Sequence, residues 1–285
     1  WSYTADCLAS ILAFTSQDET PYEIILADDC STDETVNASN RFKNLIISRT
    51  PKNLGFSGNC NLGASKARGK YIIFLNNDTQ VQPHWLTNLT KVYEKYPETL
   101  ITGSKLIYAD GSLQEAGGIV WNNAGGANYG RNDSVPSKPE YCYIKPSDYI
   151  SGAALMVSSD FWQQVGGFDK LFEPAYYEDT DLCMQARENG GKVMLQPASQ
   201  VIHFEGKSHG TDTSSGIKAY QVTNKQNFFE KWKEVLEREH TTGEHILNAR
   251  ERSMDKPVIA IIDYLLPEYD RHAGARHTFN YIELL

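Results

Sequence analysis

Tyr71–Leu75 is an apolar run that stops abruptly on Asn76, Asn77 and Asp78, two amides and a carboxylate. A run this short and this apolar reads as a strand buried on both faces, which puts the polar triplet where the chain leaves the sheet. In an open parallel sheet that rim is where ligands bind. A carboxylate beside carbonyl oxygens suits a hard divalent cation carrying a phosphate-bearing substrate. Taken alone, the triplet fits equally well a turn in which Asn and Asp bond their own backbone.

Three further clusters bear on that choice. Asp28 and Asp29 end the apolar run Glu23–Ala27. Carboxylates there can accept from a base N–H or a ribose hydroxyl, although an Asx turn and an N-cap before the next helix are the commoner use. Glu178-Asp179-Thr180-Asp181 opens a helix after Tyr176-Tyr177; acids favour a first helical turn, yet Asp179 in reach of a hydroxyl would serve as general base. His203 ends the apolar run Val201-Ile202, and Glu205 to Gly210 follows as a loop whose Lys207 and Ser208 suit phosphate as well as solvent. A lone His is commonly structural, but imidazole and the Asp78 carboxylate with diphosphate oxygens would make a site for manganese or magnesium.

Strands and helices must alternate to bring these clusters together. The run from Leu8 to Leu12 has helical spacing, and the segments at 23–29, 45–48 and 71–75 read as strands separated by helices, the pattern of a parallel α/β sheet. A doubly wound domain opens with a strand, and none is read before the first helix. The stretch from Asn53 to Gly63 is rich in Gly and amides but lacks the G-x-G-x-x-G spacing of dinucleotide folds and the Lys of a P-loop. Its Asn53 and Gly55 still allow close approach to a nucleotide. Helices are expected over about 83–96, 160–165, from 178, and over 217–240, with strands at 151–157 and within 192–204. Residues 110–147 read as one long irregular loop, of the kind that is commonly functional. A linker at 241–256 leads to a fresh strand at 257–263 and a helix from about Ala275, the opening of a second domain.

The chain of 285 residues carries a formal charge of −9 and 22% charged residues, which argues against a broad nucleic-acid surface. Its five cysteines form no C-x-x-C pair, favouring reduced thiols and a cytosolic compartment over a disulfide framework or zinc site. No run approaches the roughly 18 to 20 apolar residues of a membrane span.

In this order the segments resemble an inverting family 2 glycosyltransferase with the GT-A fold, over residues 1 to about 240. The matching pieces are Asp28 to Asp33, Asn53 to Gly63, Leu75 to Thr79, Ser151 to Ala153, Gly166 to Asp169, Glu178 to Asp181, and His203 with its Gly-Lys-Ser loop. Asn-Asn-Asp in place of Asp-x-Asp is similar to the rhamnosyltransferase-like branch. The resemblance implies a Rossmann-like, mostly parallel sheet whose first strand is missing here. It implies Asp78 as a metal ligand with His203 as another, Asp179 as catalytic base beside Glu178, and Asp28, Asp29, Asn53, Gly55, Asn76 and Asn77 around the nucleotide. A nucleotide-diphosphate sugar donor and a glycan or lipid-linked glycan acceptor follow as partners. The setting it implies is polysaccharide assembly for the cell envelope, in the cytoplasm at the inner membrane face, with any membrane contact peripheral and through a parent protein. Asp270 to Arg276 resembles the start of a GT-B type domain, which sets the domains at 1–240 and 257–285.

Asn76 stands where the family's first Asp of Asp-x-Asp would be, leaving fewer charges on the metal and making the donor diphosphate part of its shell. Trp121, Tyr129 and the loop Phe172 to Tyr177 are candidates for stacking on the acceptor. The competing readings are a sugar-phosphate nucleotidyltransferase, which needs a basic Gly-rich loop near its first strand, and a non-catalytic glycan-binding or scaffold domain of a larger synthase.

Overall fold

The computed structural model describes residues 1–205, 219–244, 246–252, 257, 259–262 and 266–284; Lys207 and Ser208 lie outside them. The chain divides into two compact units, Trp1–Arg252 and Ser253–Leu285.

The first unit opens with α1 (Ser2–Phe14), β1 (Ile24–Asp28), α2 (Ala38–Arg41), β2 (Leu45–Arg49), α3 (Gly55–Ala64), β3 (Tyr71–Leu75) and β4 (Thr79–Val81). It continues through α4 (Trp85–Lys95), β5 (Thr99–Ile107), β6 (Leu113–Glu115), β7 (Gly118–Val120), β8 (Gly126–Asn128), β9 (Lys145–Pro146), β10 (Ala154–Ser158) and α5 (Ser159–Val165). It closes with α6 (Glu178–Glu188), β11 (Lys192–His203), α7 (Tyr220–Glu239) and α8 (Ile246–Ala249).

The central sheet has the order β3-β10-β5-β11-β4, with β6 on β5 and β9 on β11. Strands β3, β5 and β11 run one way, while β10 and β4 are reversed. The parallel order expected from strand–helix alternation thus holds for β1–β2 and β5–β11 and is interrupted by β10, which enters between β3 and β5 after the long 108–153 excursion. Helices α5 and α6 cover one face through Phe74, Trp162, Phe168 and Leu182. On the other face α1 and α4 pack Ile11, Trp85 and Leu89 against Leu106 and Met156. The amphipathic α4 explains its own place, since Trp85, Leu86, Leu89, Val92 and Tyr93 recur at helical spacing and are all buried.

Strands β1 and β2 form a separate two-stranded sheet. A half-open apolar cleft of about 160 Å³, lined by Leu8, Ile11, Ile24, Leu26, Ile73 and Leu75, lies between β1 and β3.

Two expectations give way. Residues 110–147 are not one irregular loop: β6 and β9 join the central sheet, β7 and β8 pair with each other, and Tyr129 and Tyr141 are buried. Strands of two or three residues are too short to show a period in sequence. In the second unit, residues 257 and 259–262 form no strand; Ile262 is 95% exposed, and no strand among the unit's described residues is present to satisfy its backbone. Helix α9 (Ala273–Leu284) is the regular element described there. No helix among the described residues is long and apolar enough to cross a membrane. All five cysteines are free thiols.

Candidate active site

Strand register explains why Asp78 meets His203. The antiparallel pair β4–β11 sets Thr79 opposite His203, and the Phe204 N–H donates to the Asp78 carbonyl at 2.9 Å. Asp78 Oδ1 then lies 3.3 Å from His203 Nε2, both side chains being nearly buried. On the other side of the ring, Nδ1 is 3.1 Å from Gln114 Oε1. The orientation of that amide is fixed, because its Nε2 donates to Glu205 Oε2 at 3.0 Å. Gln114 Oε1 therefore accepts from Nδ1–H and leaves the Nε2 lone pair facing the Asp78 carboxylate. Carboxylate and imidazole suit manganese or magnesium, and the amide behind the ring is the kind of partner that fixes a ligating histidine. Among the described residues no group of three or more His, Cys, Asp or Glu could hold a metal. Substrate oxygens and water would have to complete the shell, as magnesium sites commonly require.

The acids of α6 arrive at the same rim through β10. Leu75 pairs with Ala154, and Asn76 N–H donates to the Ala153 carbonyl, so the Ser151–Gly152 turn stands beside the triplet. Gly152 N–H donates to Asp179 Oδ2 at 2.8 Å, and Thr180 N–H to Oδ1 at 2.7 Å. Burial raises the Asp179 pKa despite these donors. Glu178 is buried beneath it, 3.5 Å from the Ser57 hydroxyl, and is pushed well above the carboxylate range by burial and then by Asp179. Asp181 belongs elsewhere: it accepts from Trp232 Nε1 at 2.7 Å and pairs with Lys231, fastening α7 to α6. From α7, the buried Asn224 Nδ2 donates to the carbonyls of Phe172, Ala175 and Tyr176. That clamp fixes the turn in which Tyr176 (φ 75°) and Tyr177 (φ 72°) adopt the left-handed conformation just before Glu178.

Asp28 and Asp29 are occupied within the protein. Asp28 accepts from Ser31 N–H at 2.9 Å and forms an ion pair with Arg49. Asp29 accepts from Thr50 Oγ1 and Leu54 N–H at 2.8 Å and from Gly55 N–H at 2.9 Å, anchoring the start of α3. Asn53 Oδ1 also accepts from Gly55 N–H, at 3.0 Å. Gly55 has φ 72°, and a Cβ there would stand 2.4 Å from Pro174 Cβ, so the start of α3 presses on the loop before Glu178. Asn77 Nδ2 donates to Thr4 Oγ1 at 3.0 Å. Asn76, Asn77 and Asp78 thus share a rim with Gly152, Asp179 and His203, whereas Asp28, Asp29 and Asn53 gather at the end of β1.

Sequence reasoning passed over Gln114, Glu115, Arg131 and Arg49. The first two sit on β6, whose pairing with the end of β5 carries them to the rim. Arg131 donates to Glu205 at 2.7 Å. Glu115 is fully buried, and burial raises its pKa to about 8. Of the aromatic candidates, Tyr129 and Phe172 are core residues, Tyr129 edge-on to Tyr141 and Phe172 against Phe228.

Residues 1–156 match the model of glycosyl transferase family 2. The chain is 26% identical over 230 residues to an N-acetylglucosaminyl-diphospho-decaprenol L-rhamnosyltransferase of Mycobacterium tuberculosis, covering 71% of this chain and 73% of that protein. It is 27% identical over 157 residues to the O-antigen biosynthesis protein RfbC of Myxococcus xanthus, 53% of this chain but 12% of the relative. Of an uncharacterized Sinorhizobium fredii protein, y4gI, it spans 23% of the length at 25% identity over 210 residues, 70% of this chain. Among solved structures, GalNAc-T7 with UDP, GalNAc and Mn2+ superposes with a TM-score of 0.66 at 20% identity, over 81% of this chain and 46% of that one. The mannosyltransferase PcManGT of Pyrobaculum calidifontis, with GDP-Man and Mn2+, gives 0.57 at 13% identity over 83% of this chain and 61% of that one. These superpositions show a GT-A-like fold, and the family match covers more than half of the sequence: the chain belongs to glycosyl transferase family 2.

Proposed function

We propose that the chain moves a sugar from a nucleotide-diphosphate donor to a hydroxyl of a glycan or lipid-linked glycan, with inversion at the anomeric carbon. The observation that carries this reading is the convergence of Asp179, held by Gly152 N–H, with the Asp78–His203 pair on one rim. Asp179 takes the proton of the acceptor hydroxyl, whose oxygen bonds to the anomeric carbon as the bond to the diphosphate breaks on the opposite face. Burial raises its pKa, which makes it a stronger base than an ordinary carboxylate. Asp78 and His203 would hold a divalent cation, which supplies Lewis-acid and electrostatic stabilisation to the departing diphosphate. The asparagines at 53, 76 and 77, with Asp28, Asp29 and Gly55, are the proposed nucleotide side of the site.

Rhamnose is the proposed sugar and cell-envelope polysaccharide the proposed destination, on the mycobacterial rhamnosyltransferase and the O-antigen protein as relatives. Solved neighbours that carry Mn2+ support the metal. We place the reaction at the inner membrane face, and we read the second unit, on Asp270 to Arg276, as the start of a GT-B type domain. Calorimetric titration of dTDP-, UDP- and GDP-sugars with and without manganese tests the site. One donor should bind, and only with the metal; equal binding without metal contradicts the roles given to Asp78 and His203.

A further inference from the structure

Glu115 and Asp179 hang from consecutive backbone amides. Ser151 N–H points to Glu115 Oε1 at 3.4 Å, and Gly152 N–H donates to Asp179 Oδ2 at 2.8 Å. The second Glu115 oxygen, Oε2, is buried with no hydrogen-bond partner among the described residues, and Glu115 as a whole is 1% exposed. A buried polar atom left unpaired is costly, so one in a native rim needs an account. The charged and titratable groups facing Glu115 are Asp179 and Cys183 from α6, Tyr149 before β10, Arg131 after β8 and Glu205 after β11. Arg131 is the one cation among these groups, and it is already bonded to Glu205. Burial, followed by the Asp179 charge, keeps Glu115 in its acid form up to about pH 8. Its Oε2 is then a free donor beside the base.

We propose that Glu115 donates from Oε2 to an acceptor oxygen next to the hydroxyl that Asp179 deprotonates, so that the site takes an acceptor with two neighbouring oxygens, such as the vicinal diol of a sugar. The inference rests on Asp179 being the base. During transfer the attacking hydroxyl gives its proton to Asp179, while Glu115 keeps its own throughout; Glu115 is a positioning residue that registers the acceptor.

The test compares Glu115→Leu and Glu115→Gln with wild type. The probes are manganese, whichever nucleotide sugar wild type turns over, and a methyl glycoside acceptor with or without the hydroxyl vicinal to the attacking one. E115L should raise acceptor KM about tenfold rather than donor KM, as expected for one lost hydrogen bond in a buried site. E115Q, which keeps an N–H donor and cannot ionise, should recover most of that loss and should not weaken above about pH 8, where wild type does. The deoxy acceptor should be as poor with wild type as with E115L. A tenfold loss that E115L adds to the deoxy acceptor as well, or an acceptor KM unmoved by E115L, overturns the proposal. A separate readout needs no turnover: because buried Glu178 also favours its acid form, the infrared difference spectrum of wild type minus E115Q at neutral pH should carry the carbonyl band of one carboxylic acid. Its absence from that difference overturns the proposal, whereas a difference band in a protein that turns over no nucleotide sugar contradicts the transferase reading instead.

Discussion

Replacing Asn224 with alanine should disable the site from a distance. Asn224 is 1% exposed, and its amide nitrogen reaches the carbonyls of Phe172 and Ala175 at 2.9 Å and of Tyr176 at 3.1 Å. One amide has two hydrogens, so truncation strands two carbonyl groups' worth of bonding in a closed environment. At about 1 to 3 kcal/mol for each buried group left unpaired, the loss is roughly 2 to 6 kcal/mol. For a domain of this size each kcal/mol moves Tm by about 2 to 4 °C, so a melting-temperature drop on the order of 5 to 20 °C is expected. The same bonds hold Tyr176 and Tyr177 in left-handed backbone, at about 1 to 3 kcal/mol of strain each, which the variant is free to release. Asp179 follows directly on that turn. A shift near 1 Å at a reacting group can cost about 10²-fold, so kcat should fall by that order below the melting transition, with donor affinity kept. Calorimetry and donor turnover on one preparation decide the matter. A variant that melts with wild type, or one fully active until it unfolds, refutes the clamp.

Gln114→Leu removes the acceptor that orients His203, and manganese affinity, read by titration calorimetry, should weaken by about 10- to 100-fold. Gly55→Ala places a Cβ 2.4 Å from Pro174 Cβ and 2.7 Å from its carbonyl oxygen at φ 72°, so Tm should fall and turnover with it; an unchanged melt would show that the loop before Glu178 is free to move away. The unfolded chain releases the Glu115 proton near 4.5, while the folded chain keeps it to about 8. Stability should therefore decline as pH rises through that window, by up to about 1.4 kcal/mol per unit from this group, and urea denaturation should show a shallower decline in E115Q. Glu178 and Asp179, also raised, act with the same sign.

The parts of the site legible in sequence are those at the ends of apolar runs. Tyr71–Leu75 and Val201–Ile202 had to be strands, and their polar ends, Asp78 and His203, had to lie on a sheet rim. That the two rims coincide depends on β4, a three-residue strand whose register with β11 no periodicity reveals. Gln114 and Glu115 were hidden for the same reason, since β6 is as short and sits amid Gly, Asn and Ser. The acids at 178–181 look alike in sequence, but their burial and partners divide them: Asp181 fastens a helix, while Asp179 faces the turn at Gly152. Tyr129 and Phe172 show the opposite failure, because aromatic residues in a Gly-rich stretch suggest a sugar platform and here fill the core.

The most direct test of the account is turnover by Asp179→Asn, which keeps the shape of the side chain and removes its basicity. With manganese and a donor that wild type uses, kcat should fall by about 10²- to 10⁴-fold while the donor dissociation constant stays within about twofold, as loss of a general base predicts. Turnover equal to wild type would contradict the central claim that Asp179 takes the acceptor proton.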